Sequence, residues 1–357
     1  MDPPANPEKV VVTEPEGYKF NCIQDLIDAA LKYRSLFKRP RKRTRASSLE
    51  LGPEYHPEYN YDLEKLYSCI GPLQKLNNLI GMEDVKKNII DQVLFYIQGL
   101  NTDEMMHTCL TGPPGVGKTT LGKILAELYC SLGFLKTDNF RVVSRSDLIA
   151  GYLGQTALKT MKVLKDSIGG VLFIDEAYSL GTNPGDSGDS YSRECIDTIN
   201  KFLSEHTSNF ILIIAGYREE LDRCFFTMNK GLSRRFPWTY HIEGYSLDNL
   251  KELFIYQVKL GRWKFDIELI KDNYSALKKL FDEKNSCKTL GLFEHNGGDT
   301  LSLFDKAKII HSRRVFGKCR LAKKYLNIED IKSAIELLIK EKKKTKKISE
   351  PPFGMYT

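Results

Sequence analysis

Residues 111–120 read TGPPGVGKTT, and residues 171–177 read VLFIDEA. The first stretch contains the pattern GxxxxGK followed by Thr, placed between a short apolar run and a helical pattern. Strand, glycine-rich loop and helix in this order are the context in which such a loop binds phosphate. The second stretch is an apolar strand pattern that ends in adjacent carboxylates, Asp175 and Glu176. Together the two stretches predict magnesium-dependent nucleotide hydrolysis.

The residues of the loop have different predicted roles around a bound nucleotide. The glycines let successive backbone N–H groups point at the phosphates, and the prolines stiffen the approach. Lys118 supplies positive charge to the β- and γ-phosphates, while the Thr119 hydroxyl ligates Mg²⁺. Asp175 is the second predicted metal ligand, and Glu176 polarises the attacking water unless it is an ordinary surface carboxylate. The predicted ATP-binding residues of the loop are Gly112, Pro113, Pro114, Gly115, Val116, Gly117, Lys118, Thr119 and Thr120.

Length and composition favour an intracellular protein with packed cores. The chain has 357 residues, of which 41% are hydrophobic, so two or three domains are expected. No apolar run reaches the roughly 18 residues of a membrane span, and the N-terminus lacks the pattern of a secretory signal. The eight cysteines are scattered without a CxxC pair, which argues against a zinc site and favours reduced thiols. A cytoplasmic location is therefore the first expectation.

Two basic segments carry more positive charge than the net +7 of the whole chain, so the remainder is mildly acidic. Residues 38–45 read KRPRKRTR, and residues 340–347 read KEKKKTKK. Each run is either a solvated linker or tail, or a nuclear localisation signal or nucleic-acid patch. A nuclear location therefore stays open beside the cytoplasmic one.

The periodicity along the chain predicts an α/β domain followed by a helical one. Apolar strands that alternate with helices predict a parallel sheet covered on both faces. The expected strands are 107–111, 140–145, 170–175, 209–215 and 238–243, and the expected helices between them are 118–132, 155–167 and 191–206. After residue 246 the patterns are helical, at 247–261, 266–283, 300–315 and 328–342.

Four regions follow from this organisation. Residues 1–60 form a partly disordered N-terminal extension with one amphipathic helix at 21–37, which is a candidate docking element. Residues 61–245 form the nucleotide-binding αβ domain, 246–342 an all-helical domain, and 343–357 a basic tail.

Six segments, taken in order, resemble the AAA+ ATPases, and most nearly the branch that contains CbbX and the stage V sporulation protein K. The resemblance covers about residues 70–340 and implies a P-loop NTPase fold, with a parallel αβα sheet followed by a helical lid domain. The segments are LIGMEDVK at 79–86, the phosphate loop, RSDLIAGYLGQTALKT at 145–160, GGVLFIDEAYSL at 169–180, IIAGYREELD at 213–222 and NKGLSRRFPW at 229–238.

The resemblance also implies an adenine pocket and a pore. In the family the LIG segment lines the adenine pocket, which makes Ile80 and Gly81 candidates for ATP binding, with Leu79 beside them. Tyr152-Leu153-Gly154 stands where the family carries an aromatic pore loop that grips an extended peptide; a buried tyrosine in an ordinary loop is the alternative. Residues 181–192 correspond to a second, flexible pore loop.

Arg235 stands where the family's arginine finger reaches the γ-phosphate in a neighbouring subunit, and Arg234 is the second choice. The alternative is that these arginines form a salt bridge to the next helix. If the finger is real, the protein must self-associate to work, and the resemblance implies a homo-hexamer.

The function implied is an ATP- and Mg²⁺-dependent remodeller that threads or pulls a protein partner, with no membrane involvement. One alternative is a nucleic-acid motor or loader of the same superfamily, supported by the two basic segments. Another is a nucleotide-dependent scaffold with little hydrolysis.

Two departures from the family pattern bear on catalysis. The fourth strand ends in Gly216-Tyr217, where many members carry a polar residue that positions water, so either Tyr217 substitutes for that residue or the sensor is weak. The stretch 295–300, HNGGDT, lacks the arginine of the corresponding lid motif and leaves Lys306 or Lys308 as replacements.

Overall fold

The computed structural model describes residues 20–37, 62–101, 104–152, 154–182, 190–229, 231–283, 291–318 and 323–349. The predicted basic run at 38–45, Leu153 and most of the predicted second pore loop lie outside these residues. Within them the chain forms an αβ domain and then a helical domain, so the predicted fold class is confirmed.

Five parallel strands form the central sheet in the spatial order β2-β3-β4-β1-β5. Strands β1, β3 and β4 are buried at every position, as expected for the middle of a parallel sheet covered on both faces. They are also neighbours, so the segments that follow them meet at one edge. The strands are β1 (Thr108–Thr111), β2 (Phe140–Val143), β3 (Val171–Ile174), β4 (Ile211–Gly216) and β5 (Trp238–His241).

Helices cover both faces of the sheet, and alternate strand residues divide between two cores. Val171 and Phe173 of β3 pack toward the helices α1 to α5, while Leu172 and Ile174 pack toward α7 and α8. The period of two along the strand causes this division. The helices are α1 (Ile23–Phe37), α2 (Leu63–Ser68), α3 (Ile70–Asn77), α4 (Glu83–Ile97), α5 (Lys118–Ser131), α6 (Arg145–Leu148), α7 (Thr156–Lys165), α8 (Ser190–Glu205) and α9 (Arg218–Glu220).

The predicted amphipathic helix near the N-terminus forms as α1 and docks on the αβ domain itself. Its apolar face, which includes Ile23, Leu26 and Ile27, is buried in the same core as α3 and α5. The Asp25 carboxylate accepts hydrogen bonds from the backbone N–H groups of Asn21 and Cys22 at 2.8 and 2.9 Å, which fixes the first turn. Helix α1 therefore braces α3, whose C-terminal end reaches the site described below.

The second domain has its own core and is mainly helical. Helix α11 is interrupted where Asp272, Asn273 and Tyr274 adopt left-handed backbone angles. One feature departs from the predicted all-helical composition: β6 (Lys264–Phe265) and β7 (Tyr325–Leu326) form a short parallel pair. No strand pattern in the sequence predicts this pair, because each strand is only two residues long. The helices are α10 (Leu247–Leu260), α11 (Ile267–Glu283), α12 (Gly297–Val315) and α13 (Ile328–Ser349).

Short turns connect β4 to β5: a π-helical turn at Leu221–Phe225 and 3₁₀ turns at Phe226–Met228 and Ser233–Arg235. None of the helices in the described part of the chain is both long and apolar enough to cross a bilayer.

Candidate nucleotide-binding site

A cavity of about 960 Å³ lies where the C-terminal edge of the sheet meets the helical domain. Two segments that are distant in sequence line one side of it: the phosphate loop after β1 and the turn after β3. From the αβ domain it is lined by Lys75, Asn78, Leu79, Ile80, Met82, Pro114, Gly115, Gly117, Lys118, Thr119, Thr120, Lys123, Ile124, Glu127, Asp175, Glu176, Tyr178, Gly216 and Tyr217. The helical side contributes Tyr245, Leu253, Tyr256, Gln257, Leu260, Gly297, Gly298 and Leu301.

The phosphate loop curls around the side chain of Lys118, the first residue of α5. The Lys118 ammonium donates hydrogen bonds to the carbonyl oxygens of Gly112 and Pro113, both at 2.8 Å. Burial lowers the pKa of Lys118, and the nearby carboxylates of Asp175 and Glu176 partly oppose that effect. A half-buried ammonium at a helix N-terminus is a favourable place for phosphate oxygens.

Two oxygen groups that could hold Mg²⁺ lie beside this lysine. The Thr119 hydroxyl donates to Asp175 Oδ2 over 3.5 Å, at the long limit for a hydrogen bond. Hard oxygen donors suit Mg²⁺, which commonly takes one or two protein ligands and completes its shell with substrate phosphates and water. Within the described ranges no cluster of three or more His, Cys, Asp or Glu residues could hold a metal by itself. The donor set therefore fits an ion shared with a nucleotide.

Glu176 is held in an unusual backbone conformation at the end of β3. Its φ of 50° and ψ of 46° lie in the left-handed region, which non-glycine residues rarely adopt. Its backbone N–H donates to Asp175 Oδ1 at 3.1 Å, so the two carboxylates share one tight turn. The turn leaves Glu176 exposed and lining the cavity. Strain of this kind concentrates at functional sites.

The predicted adenine pocket is reached by part of the LIG segment. Leu79 and Ile80 line the cavity. Gly81 does not line it and has a φ of 68°. A polar pair not expected from the sequence closes the same end, because Lys75 of α3 contacts Glu127 of α5 at 2.5 Å.

The helical domain contacts the phosphate loop directly through Asn296. The Asn296 amide donates to the Pro114 carbonyl at 3.1 Å and accepts from the Tyr245 backbone N–H at 2.9 Å. Tyr245, the last residue of the predicted αβ domain, packs against the core of the helical domain, and its hydroxyl donates to the Val116 carbonyl at 2.9 Å. The Gly297 N–H donates to the Gly115 carbonyl at 3.1 Å. Three successive loop carbonyls therefore bind the helical domain.

This contact requires a small residue at position 297, within the stretch that lacks the predicted lid arginine. A Cβ on Gly297 would lie 2.8 Å from the Gly115 carbonyl oxygen, and a Cβ on Gly115 would clash with the His295 carbonyl. The suggested substitutes for the arginine are engaged elsewhere. Lys306 pairs with Glu341 at 2.7 Å, Lys308 pairs with Asp305 at 2.5 Å, and neither lines the cavity.

The predicted finger and pore residues lie outside the cavity. The Arg235 guanidinium donates to the Gly231 carbonyl at 2.7 Å and to the Ser204 hydroxyl of α8 at 2.5 Å. Both are hydrogen bonds to segments that precede Arg235, and neither is the salt bridge to the next helix that was the alternative. Arg234, on the same turn, is exposed. Tyr152 is 74% exposed in the loop between α6 and α7, which rules out the buried alternative for that side chain.

Sequence reasoning did not predict Tyr178 or the helical wall of the cavity. Tyr178 follows the acidic pair after one intervening residue, Ala177, and this position in the DEAY segment was the available signal. The helical wall had no such signal, because its residues come from turns and helix faces far apart in sequence.

Comparison with known proteins places this site in a family. The model of the AAA family, ATPases associated with various cellular activities, matches residues 108–237. The cfxQ-like protein R730 of Acanthamoeba polyphaga mimivirus is 38% identical over 295 residues, which are 80% of this chain and 69% of that protein. Stage V sporulation protein K of Bacillus subtilis strain 168 is 36% identical over 212 residues, 56% of this chain and 65% of that protein.

The chain thus spans about two thirds of the length of these two relatives. Among solved structures, the FIGL-1 AAA domain in complex with ADP matches with a TM-score of 0.52 at 18% identity, over 73% of this chain and 83% of that one. At this identity the match shows the fold. Because the cfxQ-like relative is matched over most of both chains, this protein belongs to the AAA family of ATPases, in the branch of CfxQ-like proteins and stage V sporulation protein K, and is an ATPase.

Proposed function

We propose that the protein hydrolyses ATP with Mg²⁺ in this cavity and uses the energy, as an oligomeric ring, to remodel a protein partner. The observation that carries the proposal is the exposed Tyr152 in a glycine-flanked loop outside the nucleotide cavity. An exposed aromatic on a loop is suited to contact with another molecule. Nucleotide chemistry and partner contact would then use separate parts of one domain.

In the proposed reaction the chain's own groups bind and orient the triphosphate. Lys118 and the loop N–H groups hold the phosphates, and Thr119 with Asp175 would hold the metal ion, which neutralises charge that develops on the phosphate oxygens. Glu176 faces the cavity from a strained turn and would polarise the attacking water. Ile80 and Leu79 would contact the base.

The proposed ring supplies a guanidinium from a neighbouring subunit. Within one chain Arg235 is occupied by Ser204 and Gly231, so it would have to exchange those contacts for a phosphate, whereas Arg234 is already exposed. Mixing subunits separates the two candidates. Lys118→Ala removes the site but keeps the finger, and Arg235→Ala or Arg234→Ala removes a finger but keeps the site.

If a finger acts between subunits, mixing its variant with Lys118→Ala restores ATPase activity that neither has alone. The arginine whose variant is rescued is the finger. Failure of both mixtures, in material that native mass measurement shows to be mixed oligomers, would remove the between-subunit part of the proposal.

Partner remodelling is tested by trapping and by the Tyr152 loop. Glu176→Gln should bind ATP without turnover and retain its protein partner, which can then be identified by mass spectrometry. Tyr152→Ala should keep basal ATPase within about twofold and lose work on that partner, while Tyr152→Phe retains it because the ring is kept. Stimulation of the ATPase by DNA or RNA, falling steeply with salt, would favour the nucleic-acid alternative.

A further inference from the structure

Two tyrosines stack beside the catalytic residues on the αβ side of the cavity. Tyr178 lies in the 3₁₀ turn Ala177–Leu180 that follows Glu176, and Tyr217 follows the last residue of β4. Their ring centroids are 5.6 Å apart with an angle of 28° between the planes. Both rings line the cavity together with Lys118 and Glu176.

Each tyrosine lies near a different catalytic group. Tyr178 shares the turn after β3 with Glu176, and burial first and the Glu176 carboxylate second raise the pKa of Tyr178 to about 12. The phenol therefore keeps its proton at physiological pH and can donate to the carboxylate. The Tyr217 ring instead faces Lys118, with the ammonium 5.5 Å from the ring centroid. That distance is within the roughly 6 Å range of a cation–π contact.

The backbone at the end of β4 is shaped to admit this stack. A Cβ on Gly216 would lie 2.9 Å from Cδ1 of Tyr178 and 3.1 Å from Cγ of Leu221. A side chain at position 216 would therefore push the Tyr178 ring away. Because β3 and β4 are adjacent and parallel, the residues after them meet at this edge, and glycine lets the two rings come into contact.

We propose that Tyr178 and Tyr217 are a positioning pair for ATP hydrolysis. The hydroxyl of Tyr178 orients the Glu176 carboxylate toward the attacking water, and the ring of Tyr217 supports Tyr178 and covers the Lys118 ammonium. The proposal rests on the catalytic role proposed above for Glu176. In this proposal the hydroxyl group of Tyr178 and the aromatic ring of Tyr217 are the groups that act.

The same conservative substitution at the two positions should therefore have opposite results. Tyr178→Phe keeps the ring but removes the hydroxyl, and kcat should fall about 10- to 100-fold, the range expected for loss of one hydrogen bond to a charged group. Its KM for ATP and its affinity for a fluorescent ADP analogue should stay within about twofold of wild type. Tyr217→Ala should lower kcat similarly, and Tyr217→Phe should recover most of that loss because the ring remains.

Wild-type kcat in Tyr178→Phe would overturn the role of the hydroxyl. A Tyr217→Phe protein as slow as Tyr217→Ala would overturn the role of the ring. Thermal melting of all three variants identifies loss of fold, and Tyr178→Phe preserves the packing, so its result stays decisive.

Glu176→Gln, measured in parallel, separates this proposal from the one it rests on. If Glu176→Gln is inactive and Tyr178→Phe is not, the positioning pair alone fails. If Glu176→Gln hydrolyses ATP as fast as wild type, the proposed catalytic role of Glu176 is wrong. The positioning role of Tyr178 is then wrong as well, because it depends on Glu176.

Discussion

The two walls of the nucleotide cavity are built in different ways. On the αβ side, the phosphate loop follows β1 and the acidic pair follows β3, which are separated by β4 alone, and each set of groups lies within a short stretch of sequence. On the helical side, Tyr245 and Asn296 come from separate turns and bind the loop through its carbonyl groups. The groups that would bind and hydrolyse the nucleotide therefore lie close together in the sequence of the αβ wall. The hydrogen bonds that join the helical domain to the phosphate loop come instead from residues that only the fold brings together.

The largest effect is expected on the αβ wall at Lys118. Lys118→Ala removes the half-buried ammonium that would meet the phosphates, so nucleotide affinity should fall beyond detection, at least 100-fold, in a titration with a fluorescent ATP analogue. Lys87→Ala is the matched control, because Lys87 is exposed on α4, pairs with Asp84 and does not line the cavity. Micromolar binding by Lys118→Ala would show that this wall does not provide the phosphate site.

Glu176 should separate binding from turnover on the same wall. Glu176→Gln keeps the size of the side chain but removes the negative charge, so nucleotide affinity should change by less than about threefold. The turnover number should fall about 100-fold or more, the range for removal of a group that assists proton transfer. A coupled assay of phosphate release measures this, and undiminished release would remove the catalytic assignment.

The contrast between the walls also explains what could be predicted from the sequence. Strand periodicity and the loop motif predicted the parallel sheet and the site residues Thr119 and Asp175, which lie beside one another because parallel strands end at one edge of the sheet. The absence of the predicted lid arginine was also visible in the sequence. The contact of Asn296 with the phosphate loop was not, because Asn296 binds a backbone carbonyl, which has no side-chain pattern in the sequence.

A similar limit applies to the N-terminal helix. Its apolar period predicted α1, but only the fold shows that its partner is the αβ domain itself. Residues 38–61, which separate α1 from the next described segment, have no helical period in their sequence. They therefore did not indicate where α1 packs.

Breaking the helical wall should have a smaller effect than breaking the αβ wall. Asn296→Ala removes the donor to the Pro114 carbonyl and the acceptor for the Tyr245 N–H, and each hydrogen bond contributes about 1 kcal/mol. Because these bonds join the domains around the nucleotide, dissociation of a fluorescent ADP analogue in stopped flow should be about 5- to 30-fold faster. Unchanged dissociation would mean that the contact has no part in holding the helical domain closed.

The smallest effect is expected for Tyr245→Phe, which removes only the hydrogen bond to the Val116 carbonyl and leaves the ring in place. One neutral hydrogen bond of about 1 kcal/mol corresponds to dissociation about fivefold faster. The double variant with Asn296→Ala then tests whether the helical wall acts as a unit. If both side chains support one closed arrangement, opening it by the first change leaves little for the second to remove, and the combined effect on dissociation should be smaller than the product of the separate effects. If the fold-change of the double variant instead equals the product of the two single fold-changes, each contact holds the loop independently. The helical wall, like the αβ wall, would then consist of residues that act separately.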